Sequence, residues 1–149
     1  ALRAAAQARV PGRVLFCGHV SDRRALAACY ASADAFVHPN PREPFGIGPL
    51  EAMASGVPVV VPNAGGVLSY ATGDNAWLAE PSGPGLASVL EKMLRAPAER
   101  VVRVAAARST AERYDWPLVT ARIFALYSEL HRRRLTIDRA RWALPLLAH

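Results

Sequence analysis

Four short apolar runs, each closed by glycine or proline, constrain the fold more than any other feature of this chain. They are Arg13-Val-Leu-Phe-Cys17 before Gly18, Ala35-Phe-Val-His38 before Pro39-Asn40-Pro41, Val57-Pro-Val-Val-Val61 before Pro62, and Ala76-Trp-Leu-Ala79 before Glu80-Pro81. They are continuously apolar rather than alternating, as in strands buried on both faces of a parallel sheet. Helical spacing fills the gaps. Asp22 is an N-cap ahead of Leu26, Cys29, Tyr30 and Ala33, and Pro49 to Ser55 ends on Gly56. The alternation predicts an α/β, Rossmann-like, three-layer α/β/α domain. Its mostly parallel sheet has strands near 13–17, 35–38, 57–61 and 76–79. Helical patterns follow over Gly85–Leu94, Pro97–Tyr114 and Trp116 to about Arg134, the last with Asp115 as cap and Pro117 in its first turn. Leu2 to Arg9 reads as the tail of a helix.

The 149 residues, 52% hydrophobic and 20% charged, suit one domain with a real core. No apolar stretch is long enough to span a bilayer. The net charge is +6, but +4 of it lies from His131 onward. The body is close to neutral and lacks the aromatic–basic interleaving of a nucleic-acid surface, so nucleic acid is not expected as a partner. Cys17 and Cys29 are expected as small core residues in a cytoplasmic protein. The four histidines are scattered, and no metal-ligand spacing is present.

In parallel sheets ligands bind beyond the carboxyl ends of the strands. The densest such segment runs from Glu43 through Gly46, Gly48 and Glu51 to Val60. With Pro49 as first helical residue, Gly48 is the N-cap and Glu51 the third position. The amides of Phe45 to Gly48 then lie at a helix N-terminus suited to phosphate. Glu51 could equally serve only the helix dipole there.

The spacing Glu43-x7-Glu51, followed by Ala-Met-Ala-x-Gly56-x-Pro58-Val-Val, resembles the donor signature of retaining, nucleotide-sugar-dependent glycosyltransferases of the family-four (group 1) type. These have the GT-B fold. Val14-x-Phe-x-Gly18-x-Val20, Tyr30-Ala-x-Ala-Asp34-x-Phe-Val-x-Pro39, Gly65-Gly66 and Tyr114-Asp-Trp116 extend the resemblance over about residues 13–130.

The resemblance implies a role for each matching residue. Glu43 contacts donor-sugar hydroxyls at the catalytic centre, and Glu51 holds the ribose diol. Phe45, Gly46 and Ile47 offer backbone amides to the sugar and diphosphate. Gly18, His19 and Val20 line the base. The implied reaction is glycosyl transfer with retention from a nucleoside diphosphate sugar, with no cofactor and no metal.

The family's sheet order of 3-2-1-4-5-6 makes the four runs strands 3, 4, 5 and 6, leaving a gap in mid-sheet. Residues 1–134 are therefore expected to form a partial donor domain. The family's N-terminal acceptor-binding domain is expected to lie outside these 149 residues, which alone are expected to be inactive. Residues 135–149 form a basic tail with Trp142 and several leucines, suited to peripheral contact with an anionic membrane. The alternative is a nucleotide or nucleotide-sugar binding module without catalysis. A nicotinamide dehydrogenase is disfavoured, because no G-x-G-x-x-G follows a strand.

Overall fold

The computed structural model describes the backbone of residues 2–143 and the side chains of residues 2–135. In chain order the elements are α1 (Leu2–Arg9), α2 (Arg23–Ala31), β1 (Phe36–Val37), α3 (Ile47–Ala54), β2 (Val59–Pro62), a 3-10 turn (Gly66–Ser69), β3 (Trp77–Ala79), α4 (Gly83–Leu94), α5 (Pro97–Glu112) and α6 (Trp116–Ala143). The three strands are parallel in the order β1-β2-β3. Phe36 pairs with Val59, and Val60 with Trp77.

All four residues of β2 are buried, so it is the central strand, covered on both sides. Its side chains alternate between two cores. Val59 and Val61 pack with Met53 of α3 and with Ala107 and Ala111 of α5. Val60 packs with Trp77, Ala79 and Met93 against α4. Helices thus cover both faces of the sheet, in the α/β/α layering expected. Burying Met53 and Met93 completely contributes about 1.5–3 kcal/mol each.

Two polar ties fix α5 to the loops it covers. Buried Asn75 donates to the Tyr70 carbonyl at 2.8 Å and to Thr110 Oγ1 at 3.0 Å, and accepts from the Thr72 amide. Arg103 donates to the Ala76 carbonyl at 2.7 Å, lies 4.8 Å over the Trp77 ring, and is ion-paired with Glu99 one turn away.

Asp22 accepts from the amides of Arg24 and Ala25, and Ser82 accepts from the Gly85 amide.

Several expectations need correction. Residues 13–17 form no strand. A strand needs a neighbour for its N–H and C=O groups; among the described residues nothing pairs with this run, and Leu15 is 85% exposed. The other strands are shorter than expected. Cys17 and Cys29 are exposed rather than in the core; the first lies on the unpaired run and the second on α2, which has no buried residue.

The spacing of Val119, Ile123, Leu126, Tyr127 and Leu130 predicts an apolar stripe on α6, and the stripe is largely uncovered. Val119 is half-buried, whereas Ile123, Leu126, Tyr127 and Leu130 are exposed. This helix runs on past Arg134 to Ala143. For the basic tail, residues 144–149 and the side chains from 136 lie outside the described residues. Among the described residues no helix is long and apolar enough to cross a membrane.

Candidate functional site

The site is built where the loop after β1 enters α3. That helix begins at Ile47 with Gly46 as N-cap, two residues earlier than the Gly48 cap expected from Pro49. Pro49 is the third helical residue rather than the first; it lacks only an amide that has no acceptor in that turn. Glu51 therefore stands fifth in the helix, about 6 Å along the axis from its start. The dipole's benefit fades beyond the first turn, so it does not account for an acid there.

Gly46 has φ +86°, in the left-handed region. Its carbonyl accepts a 2.5 Å bond from the buried Tyr70 hydroxyl. Among the described residues the amides of Phe45, Gly46, Ile47 and Gly48 donate to no protein acceptor. Four consecutive open donors at a helix start can receive a phosphate.

The Gly65-Gly66 turn braces this loop from the other side. The Gly66 amide donates to the Glu43 carbonyl at 2.7 Å. A Cβ on Gly66 would lie 1.7 Å from the Pro44 carbonyl oxygen, and one on Gly65 would lie 2.6 Å from that of Pro41. Only glycine permits this approach.

The two glutamates are held alike. Glu43 Oε2 accepts from Asn40 Nδ2 at 3.2 Å and lies 3.9 Å from His38 Nε2, a buried nitrogen without a hydrogen-bond partner. Asn40 is itself oriented, because its Oδ1 accepts from the Arg42 amide at 3.0 Å. The Arg42 side chain is exposed and makes no pair with Glu43. Glu51 Oε2 accepts from the Tyr30 hydroxyl at 3.2 Å. In both glutamates Oε1 has no protein partner among the described residues, so each presents one open oxygen.

Phe45, Tyr70 and Tyr114 form an aromatic wall, with centroids 5.3, 5.7 and 5.9 Å apart. Burial, with the nearby Glu43 carboxylate and Tyr114, holds the Tyr70 phenol far above its usual range. An apolar groove of about 620 Å³ runs from Phe45 and Ile47 past Glu51 to Tyr114 and Trp116.

Glu43, Phe45, Gly46, Ile47 and Glu51 are thus brought together around one helix start. Gly18, His19 and Val20 are not joined to them. Gly18 and His19 are exposed, Val20 is half-buried, and no hydrogen bond or ring contact links the three to the loop among the described residues. Among those residues no group of three or more His, Cys, Asp or Glu stands together to hold a metal. Sequence reasoning missed Tyr30, His38, Asn40 and Tyr70 as site residues. The first three lie inside or beside the matched motifs, and their usable signal was a polar group next to a glutamate's strand or helix. Tyr70 carried no pattern of its own.

The family described as glycosyl transferases group 1 matches residues 2–110. A GDP-mannose-dependent α-(1-6)-phosphatidylinositol dimannoside mannosyltransferase of Mycobacterium tuberculosis is 32% identical over 125 residues, covering 83% of this chain and 32% of that protein. A glycogen synthase of the same species is 37% identical over 125 residues, covering 80% of this chain and 29% of the enzyme. The chain therefore spans about a third of the length of the curated relatives it matches. Among solved structures, sucrose-phosphate synthase from Thermosynechococcus elongatus superposes with a TM-score of 0.79 at 28% identity, over 89% of this chain and 34% of that one. Anabaena HepE in complex with UDP gives 0.76 at 27% identity, over 86% and 36%. With the layered parallel sheet, the glutamate pair flanking a helix start and these likenesses together, the chain belongs to the group 1 glycosyl transferases, of GT-B fold.

Proposed function

We propose that this chain binds the nucleoside diphosphate sugar of a retaining glycosyltransferase. The observation that carries the reading is the row of open amides from Phe45 to Gly48, flanked by two glutamates that each offer one unpartnered oxygen. Glu43 accepts donor-sugar hydroxyls and orients the ring. Glu51 accepts the ribose diol. The amides and the positive end of α3 take the diphosphate. The relatives' names support a nucleotide-sugar donor, GDP-mannose in the mannosyltransferase, and HepE has been seen with UDP-glucose.

In the transfer step the bond between the anomeric carbon and the diphosphate oxygen breaks, and the acceptor oxygen bonds to that carbon from the same face. The departing diphosphate takes the acceptor's proton. Its growing charge is met by the preorganised amides, which act most strongly where water is excluded. The acceptor is bound outside these 149 residues, and the 149 residues alone do not catalyse transfer.

Product formation by the full-length protein from GDP-, UDP- and ADP-sugars tests the reading. Turnover of one donor class, with the anomeric configuration kept, is the expected result. Binding without turnover of any of them identifies a binding module instead.

A further inference from the structure

We propose that Tyr30 is a positioning residue for nucleotide binding, fixing the Glu51 carboxylate so that its open oxygen faces the ribose; this rests on the donor-site reading above. Tyr30 lies in the last turn of α2, which packs against α3. Its hydroxyl reaches across to Glu51 Oε2 at 3.2 Å, a contact between residues 21 positions apart in sequence. Its ring stands edge-on to Phe36 of β1, with centroids 5.5 Å apart at 79°. The hydroxyl is therefore aimed by a packed ring, not by a mobile surface chain.

Glu51 is exposed, and its carboxylate has no other partner among the described residues. An exposed glutamate samples many rotamers, and ordering it on ligand binding costs affinity. One oxygen held beforehand removes most of that cost. It leaves Oε1 and the second lone pair of Oε2 for a vicinal diol. Burial, then the Glu51 charge, raises the Tyr30 phenol above its ordinary value, so it remains a donor at neutral pH. The same arrangement recurs at Glu43, whose Oε2 is held by Asn40 while Oε1 stays open.

The test is Tyr30→Phe in the full-length protein, with GDP, UDP and ADP titrated by calorimetry. Phenylalanine keeps the ring contact with Phe36, so the melting temperature is expected to move by no more than about 2 °C. Affinity for the nucleotide that binds is expected to fall about five- to tenfold, with KM for the donor rising in step and kcat within about twofold. On a Glu51→Ala background the same change is expected to cost less than about twofold.

Two results overturn the assignment of Tyr30: unchanged affinity in Tyr30→Phe while Glu51→Ala weakens binding, or an equal loss on both backgrounds. Glu51→Ala with undiminished affinity, or no binding of GDP, UDP or ADP to the wild type, overturns the donor-site reading and this proposal with it.

Discussion

The amide of Gly66 donates to the carbonyl of Glu43 at 2.7 Å, and a methyl group on Gly66 would overlap the Pro44 carbonyl, 1.7 Å away. Two loops from the carboxyl ends of β1 and β2 thus touch backbone to backbone, and the direction of Glu43 depends on a residue 23 positions later. Gly66→Ala is expected to push the Glu43 loop away. The cost of such overpacking is about 1–3 kcal/mol in stability. Turnover of the full-length enzyme is expected to fall about a hundredfold, because an orienting contact is misplaced. Gly73→Ala, where an added Cβ meets nothing within 4 Å, is the control and is expected to change neither. Thermal melts and product formation measure both.

Tyr70→Phe removes the 2.5 Å bond to the Gly46 carbonyl while keeping the ring against Phe45 and Tyr114. Leaving that buried carbonyl unsatisfied costs about 1–3 kcal/mol. The expected outcome is a lower melting temperature with an intact fold by circular dichroism.

A pH dependence follows from the same hydroxyl. Burial, then Glu43 and Tyr114, raises the folded-state value of Tyr70 above the 10.0 of an unperturbed tyrosine. The unfolded chain therefore loses this proton first as pH rises. The stabilisation is fully present below about pH 10 and is lost progressively above it. Wild-type stability is expected to fall more steeply above pH 10 than that of Tyr70→Phe, as chemical denaturation across that range measures.

Glu51→Gln is expected to weaken nucleotide binding by roughly 1.5–3 kcal/mol, the usual loss for a charged hydrogen bond, while the melting temperature barely moves. A fall in melting temperature alone, with affinity unchanged, assigns Glu51 to the stability of α3. Its fifth place in the helix argues against that outcome, since the dipole acts mainly on the first turn.

The sheet and the helices were legible because continuous apolar runs and helical spacing are local signals. Val59 to Val61 and the cap Asp22 are cases in point. Residues 13–17 carry the same strand-like composition, yet pairing is a tertiary fact, and no partner stands beside them among the described residues. The start of α3 was misplaced because proline at the first helical position is the stronger statistical habit; here the left-handed Gly46, held by Tyr70, sets the boundary. The glutamate pair was visible as a spacing. Its supports were not, because Tyr30 and Tyr70 reach Glu51 and Gly46 across 21 and 24 residues, and no local pattern encodes such contacts.

The most direct measurement is on Glu43, whose Oε2 is held by Asn40 while its Oε1 stands open beside the start of α3. A residue that contacts the donor sugar should matter to the sugar and not to the nucleotide. In the full-length enzyme, Glu43→Ala is expected to leave nucleoside diphosphate affinity within about threefold, under roughly 0.7 kcal/mol, by calorimetry. Product formation is expected to fall about a hundredfold or more. Near-normal turnover, or an equal loss of nucleoside diphosphate binding, would contradict the assignment of Glu43 to the donor sugar.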